Sequence, residues 1–177
     1  MTAPAFNRCL ALPAELAAQG VVLRGETCDD VAFLQRLYVS VRWDELAQVE
    51  WPDEAKLGFL LSQFELQYQH YAKYYSATDF GILEQRGEPI GRLYLHRGPR
   101  EIRIVDISLL AERRNGGVGS ALLRAVLAEA AEEGRSVTIH VEKFNPALRL
   151  YERLGFQQAE DKGVYWMMEW KAVAAAA

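Results

Sequence analysis

A run of glycines between an apolar segment of β character and a helical one is the most chemically informative stretch of this chain. It reads Arg114-Asn115-Gly116-Gly117-Val118-Gly119, followed by Ser120. A strand, a glycine-rich turn and a helix N-terminus together form an anion site, because unpaired N–H groups converge where the helix dipole is positive. Glycine has no Cβ, so the backbone can approach a phosphate. The loop therefore predicts a phosphate-bearing ligand; a purely structural turn is the other reading of these residues alone. Spacing excludes two common phosphate binders. The dinucleotide fingerprint needs a third glycine three residues after the second, and Leu122 stands there. A P-loop ends in Gly-Lys-Ser/Thr, whereas Gly119 is followed by Ser120 and Ala121.

Other residues of catalytic type flank this loop. Asp106 and Ser108 lie two apart on a predicted strand and share a face with Leu110. Either Asp106 or Ser108 fits a proton relay from an amine, through water; a solvated carboxylate is the other reading of Asp106. Downstream come Asn145-Pro146-Ala147, then Tyr151, then Leu154-Gly155-Phe156. Helical spacing lets Leu150 and Leu154 pack while Tyr151 turns another way. On spacing alone that tyrosine is core or catalyst.

These stretches resemble one known family. The loop is similar to the Arg/Gln-x-x-Gly-x-Gly/Ala signature of the GNAT superfamily of N-acetyltransferases, and Leu110-Ala111-Glu112-Arg113 looks like its lead-in, with Ala111 where proline is common. The second stretch resembles the family's Asn-x-x-x-x-x-Tyr-x-x-x-Gly-Phe block. With its flanking strands the resemblance covers residues 80–170. It implies a single α/β (α+β) domain: a mixed, mostly antiparallel sheet with a splayed central parallel pair, flanked by helices on both faces. It implies acetyl-CoA as donor. The amides of Arg114 to Ser120, including Asn115, Gly116, Gly117, Val118 and Gly119, would hold the CoA pyrophosphate. Asn145 would bond the pantetheine arm, and the strand end at Leu110 would pair with that arm like an added strand.

Acetyl transfer needs a neutral amine, a polarised thioester carbonyl and a proton for the departing thiolate. A fixed backbone N–H meets the carbonyl oxygen with little reorganisation, and that of Leu110 is the candidate. Tyr151 is the candidate general acid, since phenol and thiol have pKa values of about 10 and about 8.5. The expected reaction is direct attack by a primary amine in a ternary complex. The alternatives are a protein lysine or N-terminal acetyltransferase and a non-catalytic acyl-CoA-binding module; a pure binder has no need of a general acid.

The elements that would position these residues follow from periodicity. A strand is predicted over 21–24, with Asp29 and Asp30 capping a helix whose apolar residues run from Val31 to Val41. Pro52 opens a second helix over 53–75. Strands follow over 80–85 and 90–96, joined by Arg86-Gly87-Glu88-Pro89, and a third over 101–110. A helix over 118–133 ends at Gly134, as a C-terminal glycine should. A strand over 137–141, a short helix over 146–154 and strands over 156–159 and 164–170 complete the order, which requires a mixed sheet.

The 177 residues suit one domain, with its core over about 21–170, an N-terminal extension over 1–20 and a frayed tail over 171–177. Hydrophobic residues at 50% and charged residues at 25% describe a soluble globular chain. No apolar run approaches ~20 residues, and residues 1–12 make a poor signal peptide, so no membrane span is expected and the default location is cytoplasmic. A net charge of -4 carries no nucleic-acid footprint and mildly favours a cationic substrate. Cys9 and Cys28 form no disulfide framework, and His70, His96 and His140 have no metal-ligand spacing, so no metal is expected. No Gly-x-Ser-x-Gly elbow exists for a serine hydrolase.

The acceptor side falls to the helices after the first strand. Trp43, Asp44, Glu45, Glu50, Trp51, Asp53 and Glu54 set acid beside aromatic, the chemistry of cation recognition. A small cationic amine is one reading; an ordinary solvated helix face is the other. Tyr68, Tyr71, Tyr74 and Tyr75 stand near the same wall. Crowding of Tyr165, Trp166, Met167 and Met168 in the last strand fits either a homodimer contact or core.

Overall fold

The computed structural model describes residues 6–172. In chain order the elements are α1 (Ala14–Ala18), β1 (Val21–Gly25), α2 (Val31–Arg42), α3 (Asp53–Tyr74), β2 (Thr78–Gln85), β3 (Glu88–Arg97), β4 (Glu101–Leu109), α4 (Val118–Glu132), β5 (Ser136–Glu142), α5 (Leu148–Arg153), β6 (Gln157–Lys162) and β7 (Tyr165–Trp170). Short 3-10 turns at Cys28–Asp30, Trp43–Leu46 and Ala111–Arg113 fill the links. The seven strands form one sheet in the order β1-β2-β3-β4-β5-β7-β6. Every neighbouring pair is antiparallel except β4 and β5.

Helices cover both faces. On one, α4 lays Leu122, Val126 and Ala130, all fully buried, against Ile102, Ile104, Val137 and Ile139 of the central strands. On the other, Phe33, Leu34 and Leu37 of α2 and Leu60 and Phe64 of α3 enclose a second core over Ile82. The helix over 118–132 forms because its apolar residues recur at 3.6 spacing and are mostly Ala and Leu.

The parallel pair is short. β4 and β5 pair only from Glu101 with Ser136 to Ile104 with Ile139. Residues 105–109 and 140–142 run on without pairing to each other, so the sheet splays there. The cause is visible in β4's other ladder, where Asp106 faces Tyr94 but Ile104 faces Leu95, leaving Val105 as a bulge residue. A bulge bends its strand and turns over the side-chain alternation. Ile102 and Ile104 therefore point into the α4 core, while Asp106 and Ser108 point to the α2–α3 face. Unbroken alternation would have put the carboxylate in the apolar core. β3 lies close behind this segment: a Cβ on Gly91 would stand 2.4 Å from the Ser108 carbonyl oxygen, which only glycine tolerates.

Two expectations change. The N-terminal stretch contributes to the core: Leu10 and Leu16 are 2% and 1% exposed in the α4-side cluster. The link after β2 is a two-residue turn, Arg86 and Gly87, both at positive φ, so β3 starts at Glu88. Of the two readings of the last strand, core holds for Met168 and Trp166: β7 lies between β5 and β6, with Met168 buried and Trp166 packed on the core. No helix among the described residues is long and apolar enough to cross a membrane. The end of the tail, residues 173–177, lies outside the described residues.

Candidate active site

The glycine loop closes the space at the splayed end of β4. Asn115 and Gly117 take positive φ, 61° and 83°, reversing the chain into α4. The helix has no side-chain cap and no acidic residue in its first turn. Its first intrahelical bond runs from Ala121 N–H to Gly117 carbonyl, 3.0 Å. The N–H groups of Val118, Gly119 and Ser120 precede that bond and have no helical partner. Gly116 has ordinary φ, and a Cβ there would meet nothing within 4 Å. The chain's own packing thus leaves a bare, positively polarised cradle, which fits a phosphate group. Arg114 folds back, its Nε donating to the Leu109 carbonyl at 3.0 Å, while Arg113 reaches Gln85 instead.

Leu110 is placed differently from expectation. Its N–H donates to the Ile90 carbonyl at 3.0 Å and so is committed to β3. Antiparallel alternation then turns the N–H groups of Ile107 and Leu109 away from β3, toward the splay. The Leu110 side chain packs on the α2–α3 core, on the same face as Asp106 and Ser108.

Asp106 is the centre of a polar network. Ser108 Oγ donates to its Oδ1 at 2.7 Å, and Arg92 Nη2 donates to its Oδ2 at 2.7 Å. The Tyr71 hydroxyl donates to the same Oδ2 at 3.4 Å, and Arg92 also reaches Gln67 at 2.9 Å. Arg92 is buried, held over the rings of Tyr94 and Tyr71. Behind it the Tyr94 hydroxyl donates to buried Glu26. Burial pushes the Glu26 carboxyl up, against the pull of the Tyr94 hydrogen bond. Burial also raises Tyr71 and, to about 12, Tyr68. A cavity of about 40 Å³ opens onto Ser108, Asp106, Arg92 and Gln67, with Leu37, Tyr38, Val41 and Arg42 opposite. That volume holds a few waters.

Tyr151 comes from α5, buried and edge-on to Phe156 at 5.6 Å. Burial raises its phenol well above the usual range, and the charge of Asp106 raises it further. Its hydroxyl has no protein hydrogen bond among the described residues. Asn145 is exposed and uses Oδ1 to accept from Ala147 N–H at 2.9 Å, ahead of α5.

Among the described residues no aromatic cage forms on the acceptor side. Trp43 packs on the α2–α3 core, and Trp51 meets Phe59 edge-on at 5.7 Å. Glu45 pairs with Arg42 at 3.0 Å, and Arg42 reaches across to Glu142 of β5 at 3.4 Å. Asp44, Glu50, Asp53 and Glu54 stay exposed. Sequence reasoning missed Arg92, Gln67, Glu26 and Arg42. Arg92 alone left a signal, a charge inside the apolar run 90–95.

The model of the acetyltransferase (GNAT) family matches residues 41–156, more than half the chain. This chain belongs to the GNAT acetyltransferases. Solved structures agree on the fold. PaiA N-acetyltransferase from Thermoplasma acidophilum, in complex with coenzyme A, is 17% identical with a TM-score of 0.64, covering 85% of this chain and 98% of its own. A GNAT family acetyltransferase from Elizabethkingia anophelis with acetyl-CoA bound is 15% identical with a TM-score of 0.56, covering 86% and 98%. Arabidopsis thaliana Naa50, in complex with the bisubstrate analogue CoA-Ac-MVNAL, is 18% identical with a TM-score of 0.57, covering 86% and 99%. No curated protein matches the chain at significance. The GNAT acetyltransferase described here thus keeps the family's mixed sheet and its splayed parallel pair.

Proposed function

We propose that this acetyltransferase moves the acetyl group of acetyl-CoA to a primary amine of a small molecule, by direct attack in a ternary complex. One arrangement supports the reading: beside strands β4 and β5, which part beyond Ile104, the chain has an uncapped helix N-terminus after the glycine loop, a Ser108–Asp106 pair on β4 and a buried phenol, Tyr151, on α5. The loop amides from Arg114 to Ser120 hold the donor's pyrophosphate, with Gly116 allowing close approach. The N–H of Leu109 replaces that of Leu110 as the group that meets the thioester carbonyl, because it points into the splay. Asn145 keeps its amide NH₂ for the pantetheine arm.

As the amine nitrogen bonds to the acetyl carbon and the C–S bond breaks, the amine proton passes to Ser108 Oγ and on to Asp106, directly or through cavity water. Arg92 and Tyr71 hold Asp106 in place for this. Tyr151, protonated throughout the neutral range, gives its proton to the leaving thiolate. Coenzyme A and acetyl-CoA in the two bacterial and archaeal relatives support the choice of donor. A cationic acceptor is supported by the exposed carboxylates Asp44 and Glu50 in the link after α2 and by Glu45 and Glu142, which share the one cavity-lining Arg42, acting as a field rather than a cage.

Calorimetric titration with acetyl-CoA and CoA, beside thiol release over diamines, aminosugars, neutral amines and N-terminal peptides, tests the proposal. Binding with thiol release for a diamine or aminosugar supports it. Release only with peptides makes the chain a protein acetyltransferase, and failure to bind either CoA species overturns the whole reading.

A further inference from the structure

We propose that Arg42 is a stand-in for the far cation of the acceptor: its guanidinium closes the cavity at Asp106 and gives way to the second ammonium of a diamine. The inference deepens the reading of the same site and rests on a small-amine acceptor. As it stands the cavity is too small for one. Its volume of about 40 Å³ takes a few waters, whereas an amine that reaches Ser108 brings its carbon chain with it. One wall has to move.

The lining residues decide which. Leu37, Tyr38 and Arg92 are buried, and Val41 packs on the α2–α3 core. Ser108 bonds to Asp106 at 2.7 Å on β4, and Gln67 accepts from Arg92 at 2.9 Å. Arg42 differs. It is the last residue of α2, with a side chain 30% exposed and held by ion pairs at the surface. Its Nη1 donates to Glu45 at 3.0 Å and to Glu142 at 3.4 Å, and its Cζ lies 5.4 Å from the centroid of the Tyr38 ring. Ion pairs between partly exposed side chains are weak, so this wall opens most easily.

Two carboxylates beside an aromatic face suit a cation, and here the chain's own cation takes that place. Arg42 joins the cavity beside β4 to Glu142 at the end of β5, where the two strands are unpaired. Charge sets the sign of the ligand. The guanidiniums of Arg42 and Arg92 face the carboxylates of Asp106, Glu45 and Glu142, leaving one negative charge in excess. When Arg42 swings out the excess grows, which repels an anion and attracts an ammonium. A diamine then sets one neutral amine at Ser108 and its distal ammonium between Glu45 and Glu142. A monoamine has no charge to exchange for the guanidinium and meets a closed cavity.

Steady-state kinetics with diaminobutane and butylamine, matched in chain length, test this beside calorimetric titration of CoA. The wild type should show a KM for the diamine at least about tenfold below that for the monoamine. Arg42→Gln removes the competing cation and should lower the diamine KM about fivefold while kcat holds. Glu142→Gln should raise that KM by a similar factor. A diamine KM that rises in Arg42→Gln makes Arg42 a binding group for the acceptor and overturns the proposal. An unchanged one makes it a clip between α2 and β5, which overturns it too. Turnover of neither amine beside intact CoA binding overturns the small-amine reading instead. Titration of diaminobutane into the CoA complex then decides on Arg42: the Arg42→Gln chain binds it about fivefold tighter than wild type, and equal affinity overturns the proposal.

Discussion

Tyr151 sits where a phenol keeps its proton, since burial and the nearby Asp106 charge both disfavour the phenolate. Tyr151→Phe removes an oxygen with no protein partner, so Tm should hold while kcat falls about 10²-fold or more. Steady-state kinetics beside thermal melts separate the two; equal kcat at every pH would strip Tyr151 of its role. The same raised value means wild-type kcat should show no alkaline loss from this group up to about pH 10. Glu26 makes a stability prediction. Its folded-state pKa is raised, by burial before anything else, with Tyr94, Arg92, Asp30 and Tyr68 as the groups that face it. The folded chain then holds a proton that the unfolded chain has released, so stability falls as pH rises from about 4.3 toward the folded value. Glu26→Gln should flatten that slope, measured by urea unfolding between pH 4.5 and 8; an unaltered slope would assign it to another group.

At the scale of elements, the loop before α4 contains two glycines with different duties. Gly117 needs positive φ, so Gly117→Ala should cost about 1–2 kcal/mol of stability. Gly116 has ordinary φ and open space, so Gly116→Ala should leave stability within about 0.5 kcal/mol. If its duty is to admit a phosphate, that alanine weakens CoA binding at least about tenfold, or 1.4 kcal/mol. Paired denaturation and calorimetry read both, and full CoA affinity in the Gly116 variant would return the loop to a structural turn. The bulge at Val105 is the other decisive element, because it alone turns Asp106 from the α4 core to the site.

For the whole molecule, the first residues are structural. Leu16 of α1 is buried against the sheet, and Asn7 N–H and Arg97 both bond to buried Asp79. Arg97 also pairs with Glu129 of α4 at 2.6 Å, tying the N-terminal segment, β3 and α4 into one ionic cluster. Leu16→Ala should therefore cost about 2–5 kcal/mol, the range of a buried leucine in a sealed core. Chemical denaturation measures it, and a cost under 1 kcal/mol would make this segment an ornament.

Residue order along the chain determined what depends on neighbours in sequence. The helices over 31–42, 53–74 and 118–132 were legible in 3.6 periodicity, and the uncapped loop before α4 in glycine placed before a helix. The block from Asn145 to Phe156 was legible as a motif. Tertiary structure decided what depends on pairing between distant strands. The register of β3 against β4 created the bulge, committed the Leu110 N–H to Ile90 and left that of Leu109 facing the splay. It also set Arg92 beside Asp106, and folding of α3 over the sheet added Tyr71 and Gln67. Local sequence carries no record of such contacts, because a ladder's register is a property of two segments and the buried charge network of four.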